Sequence, residues 1–242
     1  MFEKAIQNYL KEKRYNKINL KAVLFDMDGV LFDSMKNHAK AWNKAMAMYD
    51  MNLSEEEAYM HEGRTGASTI NIVSARERGY EASEDEIKKI YQTKSDIFNS
   101  LPKAEPMQGA YTLLQEIKNS GLQPVLVTGS GQLSLIDNLN HHFPGIFQKE
   151  YMVTAYDVKF GKPNPEPYLM GLKKAGIEPN EAVVVENAPL GVKAGVAAGI
   201  FAIAVNTGPL PDNALLDEGA NLLFNSMQEL ADNWTVLRND LI

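Results

Sequence analysis

Residues 26–34, Asp26-Met27-Asp28-Gly29-Val30-Leu31-Phe32-Asp33-Ser34, follow directly on Lys21-Ala22-Val23-Leu24-Phe25. The five-residue run reads as a buried strand. It delivers two carboxylates, one residue apart, to its own carboxyl end, and a glycine follows. Such a pair has no packing purpose at that place. Open α/β sheets bind ligands at the carboxyl ends of their strands, and paired carboxylates there can hold a divalent cation and divide nucleophilic and acid–base work.

Further apolar runs rich in β-branched residues occur at Val125–Thr128, Met152–Thr154, Ala182–Glu186, Phe201–Asn206 and Leu222–Phe224. Helical patterns separate most of them. This alternation predicts βαβ units and a Rossmann-like parallel sheet, an α/β fold whose strands are covered on both faces. Residues 35–101 break the alternation and show no strand pattern. Ser54-x-x-Glu57 and Ser83-x-x-Glu86 read there as capping boxes, and Ala39, Trp42, Ala45 and Met46 share one helical face. The expected organisation is an α/β core of residues 1–33 and 103–242 with an all-helical module, residues 34–102, inserted after the first strand. Residues 101–106 read as the returning linker. A further helix runs from Gly109 and stops at Asn119-Ser120-Gly121, with glycine in a terminating position. Residues 1–19 form a helical extension, with Phe2, Ile6, Tyr9 and Leu10 at helical spacing.

The 242 residues carry a net charge of −7, with 45% hydrophobic and 23% charged residues. The acidic balance argues against nucleic acid or an anionic membrane as partner. No apolar run approaches the ~20 residues of a membrane span, and residues 1–19 lack the apolar centre of a secretory signal. With no cysteine, disulfides, thiol nucleophiles and cysteine–zinc sites are excluded, which fits a reducing, cytoplasmic setting. The expected state is a monomer or a weak homo-oligomer.

In a parallel sheet, whatever follows each strand collects on one edge. After the first strand come Asp26 and Asp28. Thr128, Gly129, Ser130, Gly131 and Gln132 follow the second. Lys159, Gly161, Lys162, Pro163 and Asn164 follow the third, and Glu186 and Asn187 end the fourth. These are the groups that phosphoryl transfer requires, since attack at phosphorus needs positioning and charge neutralisation. Mg²⁺ takes oxygen ligands and keeps several waters, which Asp26, Asn187 and the Asp28 backbone carbonyl would suit. Thr128 and the backbone amides of Gly129 and Ser130 could bind a phosphoryl oxygen, and Lys162 could neutralise the remaining charge. The Gly161-Lys162-Pro163 setting selects Lys162 over Lys159.

These residues resemble the haloacid dehalogenase superfamily of phosphotransferases over the whole chain. Asp26-Met27-Asp28-Gly29-Val30 is similar to its first motif, Thr128 to its second, Lys162 to its third and Glu186-Asn187 to its fourth. The resemblance implies that Asp26 forms an aspartyl-phosphate, that Asp28 protonates the leaving group and then activates water, and that the helical insertion is a mobile cap. Glu186 would either bind metal through water or brace its neighbours. His38 falls where relatives place a residue near Asp28.

Within the superfamily the chain resembles the β-phosphoglucomutase-like branch, and more narrowly its bacterial inorganic pyrophosphatases. The stretches that carry this are Met60–Thr69, Val127–Ser134 and Val185–Gly191. Glu62 matches a cap glutamate that reaches the magnesium there, and Arg64 is a candidate substrate contact. Two departures from the mutase pattern point the same way. Gly66 stands where the mutase cap carries a phosphate-gripping arginine, and Asn187 stands where a mutase usually has aspartate. The expectation is a Mg²⁺-dependent phosphohydrolase acting on inorganic pyrophosphate. The alternatives are a β-phosphoglucomutase or a phosphatase for a small sugar or polyol phosphate.

Overall fold

The computed structural model describes residues 2–130 and 133–242. Gly131 and Gln132, expected in the turn after the second strand, lie outside the described residues. In chain order the elements are α1 (Glu3–Lys13), β1 (Ala22–Phe25), α2 (Met35–Ala47), α3 (Glu55–Met60), α4 (Gly66–Arg78), α5 (Glu84–Ser100), α6 (Ala110–Asn119), β2 (Gln123–Val127), α7 (Leu133–His142), β3 (Met152–Val153), α8 (Glu166–Ala175), β4 (Ala182–Glu186), α9 (Pro189–Ala197), β5 (Phe201–Val205), α10 (Asn213–Leu216), β6 (Leu222–Phe224) and α11 (Met227–Leu241).

The six strands form one parallel sheet in the order β3-β2-β1-β4-β5-β6. Strand β1 lies inside the sheet, with Phe25 opposite Leu126 of β2 and Val185 of β4. The strand order reverses direction between β1 and β4, and open sheets bind ligands in the crevice at such a point. Side chains alternate between faces. Val23, Phe25, Val183 and Val185 pack with α1, α6 and α11, where Tyr9, Leu113 and Trp234 are buried. Leu24, Ala182 and Val184 pack with α8 and α9, against Tyr168, Leu172 and Ala194. Both faces are dry, which is why the strands read as continuous apolar runs rather than alternating ones.

Helices α2–α5 sit together between β1 and α6 and have their own apolar cluster, built on Met46, Leu53, Ile70, Val73 and Ile90. Ser83 and Glu86 make a reciprocal capping box, with Glu86 N to Ser83 Oγ at 3.3 Å and Ser83 N to Glu86 Oε2 at 3.0 Å. The Ser54 box is one-sided, a departure from expectation. Glu57 N donates to Ser54 Oγ at 3.0 Å, but the Glu57 carboxylate is drawn away to Arg76 and to His61, 3.3 Å distant. A charged partner outcompetes a backbone amide for the carboxylate.

The two chain crossings that lead into and out of this unit are stitched together. Asp33 N donates to Glu105 O at 3.0 Å, and Met107 N to Leu31 O at 2.8 Å. Helix α1 docks on the core through Tyr9, whose ring meets Phe201 edge-on at 5.3 Å and whose hydroxyl donates to Gly199 O at 2.9 Å. Among the described residues no helix is long and apolar enough to cross a membrane.

Candidate active site

Strand β1 ends at Phe25, and Asp26 N still donates to Val185 O of β4 at 3.1 Å. The chain then turns sharply. Gly29 has φ +78°, and a Cβ there would run into the Asn187 amide. Glycine is required twice over, for the left-handed backbone and for the close approach of Asn187. Thr128 continues the β2 line by donating its amide to Val153 O at 2.9 Å. Its hydroxyl oxygen accepts the Ser130 amide at 3.0 Å. The Ser130 amide is therefore engaged within the turn, whereas the sequence suggested that it is available to a phosphoryl group.

Lys162 is the hub of the core side. Its ammonium contacts Asp26 Oδ1 at 2.5 Å, Glu186 Oε1 at 2.7 Å and Val127 O at 3.0 Å. Glu186 also accepts the Tyr168 hydroxyl at 2.7 Å, the Asn187 amide at 3.1 Å and the Ala188 amide at 3.3 Å. Both its oxygens are thus taken by donors. Glu186 thereby ties Lys162 and Tyr168 to the turn that opens α9.

Asp28 sits in a second network. Its Oδ1 accepts Ser34 Oγ at 2.5 Å and faces His38 Nε2 at 3.1 Å. His38 Nδ1 in turn faces Lys94 Nζ at 2.7 Å. An ammonium can only donate, so Nδ1 accepts and the ring proton lies on Nε2, directed at Asp28. Lys94 is buried against Trp42, Tyr91 and Phe98, with its nitrogen 5.3, 5.9 and 5.1 Å from their ring centres. Sequence reasoning places His38 beside Asp28 but misses Lys94. A signal exists, since Ile87, Ile90, Lys94 and Phe98 recur at helical spacing, so Lys94 is a cation on an apolar face.

The helical unit contributes Glu62, which is 8% exposed. Its Oε1 accepts Asn187 Nδ2 at 3.0 Å. The loop behind it seats closely on the core. A Cβ on Gly63 would lie 2.9 Å from Lys162 Cδ, and one on Gly129 would lie 2.8 Å from Gly63 O. Between the two halves lies a cavity of ≈60 Å³ whose lining includes Asp26, Asp28, His38, Glu62, Arg64 and Ser130. Of the residues selected from the sequence, Asp26, Asp28, His38, Glu62, Arg64, Gly129 and Ser130 line this one cavity from both sides, and Lys162 and Asn187 are bonded to it through Asp26 and Glu62.

Charge is unbalanced there. Burial raises the Asp26 carboxyl to about 7; Lys162 pulls it down, and Glu186 and Asp28 push it up. Burial, with Asp26 next to it, raises Glu62 well above the ordinary carboxylate range. Asp28 behaves oppositely. Burial would raise it, but His38, Ser34 and Lys94 together hold it below its ordinary value. Burial would lower the Lys162 ammonium, and Asp26 with Glu186 hold it above its usual range instead. Burial followed by Lys94 lowers the His38 imidazole, and burial lowers Lys94 to about 8.

Several carboxylates around few cations leave room for a divalent ion. Asn187 Oδ1 is buried with no hydrogen-bond partner, on the amide whose nitrogen meets Glu62. An orphaned amide oxygen next to a buried carboxylate fits a hard, oxygen-seeking cation. No group of three or more His, Asp or Glu side chains that could hold a metal occurs among the described residues. Mg²⁺ does not need one, since it completes its shell with waters and substrate oxygens.

Comparison with known proteins agrees with this architecture. The family described as haloacid dehalogenase-like hydrolase matches residues 23–205. Hexitol phosphatase A of Escherichia coli K12 is 33% identical over 87% of this chain and 93% of its own length. A phosphorylated carbohydrates phosphatase of Thermotoga maritima is 29% identical over 83% of this chain and 92% of its own. A solved structure from Bacteroides vulgatus, described as a candidate β-phosphoglucomutase, is 67% identical with a TM-score of 0.97 and covers 99% of this chain and 98% of its own. The parallel sheet with its helical cap, the acid pair ending β1 and the match across residues 23–205 have one reading: the chain belongs to the haloacid dehalogenase-like hydrolase family.

Proposed function

We propose that the protein is a Mg²⁺-dependent phosphohydrolase working through an aspartyl-phosphate on Asp26, and that its substrate is inorganic pyrophosphate. Asp26, Asn187, the Asp28 carbonyl and Glu62 would hold the ion, which when bound neutralises phosphoryl charge. Asp26 attacks phosphorus with the oxygen that Lys162 leaves open, and the bond from phosphorus to the leaving oxygen breaks. Asp28 lies two residues on and serves both steps. Its lowered pKa suits the second, in which it takes a proton from the water that attacks the aspartyl-phosphate. For the first step it must hold a proton, and the approach of a phosphoryl anion raises its pKa toward that state. Lys162 stabilises charge on the transferred group, and the seated cap excludes bulk water.

The observation that carries the pyrophosphate reading is Glu62. A buried carboxylate aimed at a phosphoryl site repels it unless a cation stands between them. Glu62 therefore suits a small substrate bound with its metal. Gly66 adds to this. A side chain at that position would collide with the Tyr91 ring, so the cap as built has no place for the arginine of the mutase pattern.

The names of the relatives support a second reading, a phosphatase or mutase for a small sugar or polyol phosphate. Kinship taken alone favours it, since the named relatives above act on carbohydrate phosphates. Phosphate release with Mg²⁺ from pyrophosphate, β-glucose 1-phosphate and a panel of phosphate monoesters decides between them. Highest kcat/KM on a monoester removes the pyrophosphate reading, and formation of glucose 6-phosphate would establish the mutase. Asp26→Asn is expected to abolish turnover of every substrate, by more than about 10³-fold.

A further inference from the structure

Arg64 belongs to two spaces at once. It lines the catalytic cavity and also a larger groove, ≈450 Å³, on the outer side of the seam between cap and core. Lys162 borders that groove as well, but its ammonium is committed to Asp26 and Glu186. The free charge facing the groove comes from Arg64 on the cap side and Lys159 on the core side. Among the described residues neither makes an ion pair with an acid side chain, and Arg64 Nε is buried without a hydrogen-bond partner. The polar rest of the lining is Thr65, Ser68 and Asn164, beside the apolar Phe160 and Pro163, and no carboxylate lines it; outside the lining, the Glu166 carboxylate is held by the Lys159 and Phe160 amides at 2.9 and 2.8 Å. In a chain of net charge −7, a cavity with two cations and no acid is selective for anions. A guanidinium with a vacant edge matches phosphate oxygens in a planar fork.

From this geometry we infer that the outer groove is a second anion site, which holds inorganic phosphate beside the catalytic cavity, with Arg64 as the group shared between the two. This rests on the phosphohydrolase reading only for its purpose. Every phosphohydrolase liberates phosphate, and the seated cap leaves a catalytic cavity of only ≈60 Å³. A departing multiply charged anion needs counter-charge along its way out, and Arg64 followed by Lys159 supplies it.

The test is calorimetric titration of the full chain with orthophosphate, with and without Mg²⁺, in the wild type, Lys159→Ala, Arg64→Gln and Arg64→Lys. The wild type is expected to bind two phosphates. Lys159→Ala should weaken one of them about tenfold, equivalent to ~1.4 kcal/mol, and leave the other. Arg64→Gln should lose that site, and Arg64→Lys, which keeps the charge, should recover part of it. A single phosphate per chain overturns the inference, as does an unchanged second site in both Lys159→Ala and Arg64→Gln. Product inhibition gives an independent reading, because loss of the outer site should raise the inhibition constant for phosphate about tenfold in Lys159→Ala. If the protein hydrolyses no phosphate compound, the functional reading fails, while the titration still decides whether the groove binds phosphate.

Discussion

Asn187 and Glu62 are 125 residues apart in sequence and 3.0 Å apart in space, joined by a hydrogen bond from the amide nitrogen to the carboxylate. That bond crosses the seam between core and cap. It leaves Asn187 Oδ1 buried with no partner, so the amide that joins cap to core has an oxygen to spare for the proposed cation. Glu62→Ala should therefore lower the apparent affinity for Mg²⁺ and kcat/KM for pyrophosphate by ~10–100-fold, the range typical of residues that orient a metal site. Activity measured against Mg²⁺ concentration checks this, and an unchanged dependence removes Glu62 from the site.

The pairing of Lys94 with His38 predicts a pH dependence of stability. Burial lowers the Lys94 pKa from 10.5 to about 8, so between these values the unfolded chain binds more protons than the folded one. Stability must then rise with pH across that window, and below it the full cost of the buried charge is present. Lys94→Met has no group to titrate there. Relative to that variant the wild type should gain up to ~3 kcal/mol on going from pH 8 to 10.5, read from urea unfolding of both proteins. A pH-independent difference would falsify the buried-cation assignment.

Gly66 opens α4, where replacing glycine by alanine ordinarily stabilises by ~0.4–1 kcal/mol. Here the new methyl meets the Tyr91 ring, and overpacking of that kind costs ~1–3 kcal/mol. The steric cost exceeds the gain in chain stiffness, so Gly66→Ala should lower the melting temperature. Gly66→Ala with Tyr91→Leu should regain some of what Gly66→Ala loses relative to Tyr91→Leu alone. A stabilised Gly66→Ala would show that the ring moves aside freely.

Gly129 lies under the cap loop, where a Cβ would stand 2.8 Å from Gly63 O. Gly129→Ala should hinder seating of the loop while leaving the core intact. The expected result is a loss of roughly tenfold in kcat/KM with the unfolding midpoint within ~0.5 kcal/mol of wild type. Equal loss of stability and activity would mean that the turn itself had been damaged.

The core is legible in the sequence because each β-strand is apolar on both faces and stops at a polar residue. Ala182–Glu186 and Leu222–Phe224 have the bounds that their composition suggests, and the acids, Thr128, Lys162 and Asn187 follow their strands onto one edge. Residues from the helical cap are harder to see. Glu62 and Arg64 lie in a loop with no periodicity, and only resemblance singles them out. Lys94 and Tyr168 hide inside helices, where a polar group on an apolar face is visible in the sequence but its partner is not. The Ser54 box misleads because Arg76, 19 residues beyond Glu57, competes for the same carboxylate, and a local motif cannot register a distant rival.

The paired backbone bonds between Asp33 and Glu105 and between Leu31 and Met107 fix how the cap is attached. Glu62 and Arg64 reach the core only through the unit that these two crossings attach, and in this arrangement Glu62 meets Asn187 while the Gly63 loop covers Gly129. A change where the chain leaves the core, far from the carboxylates, is therefore expected to displace both side chains together.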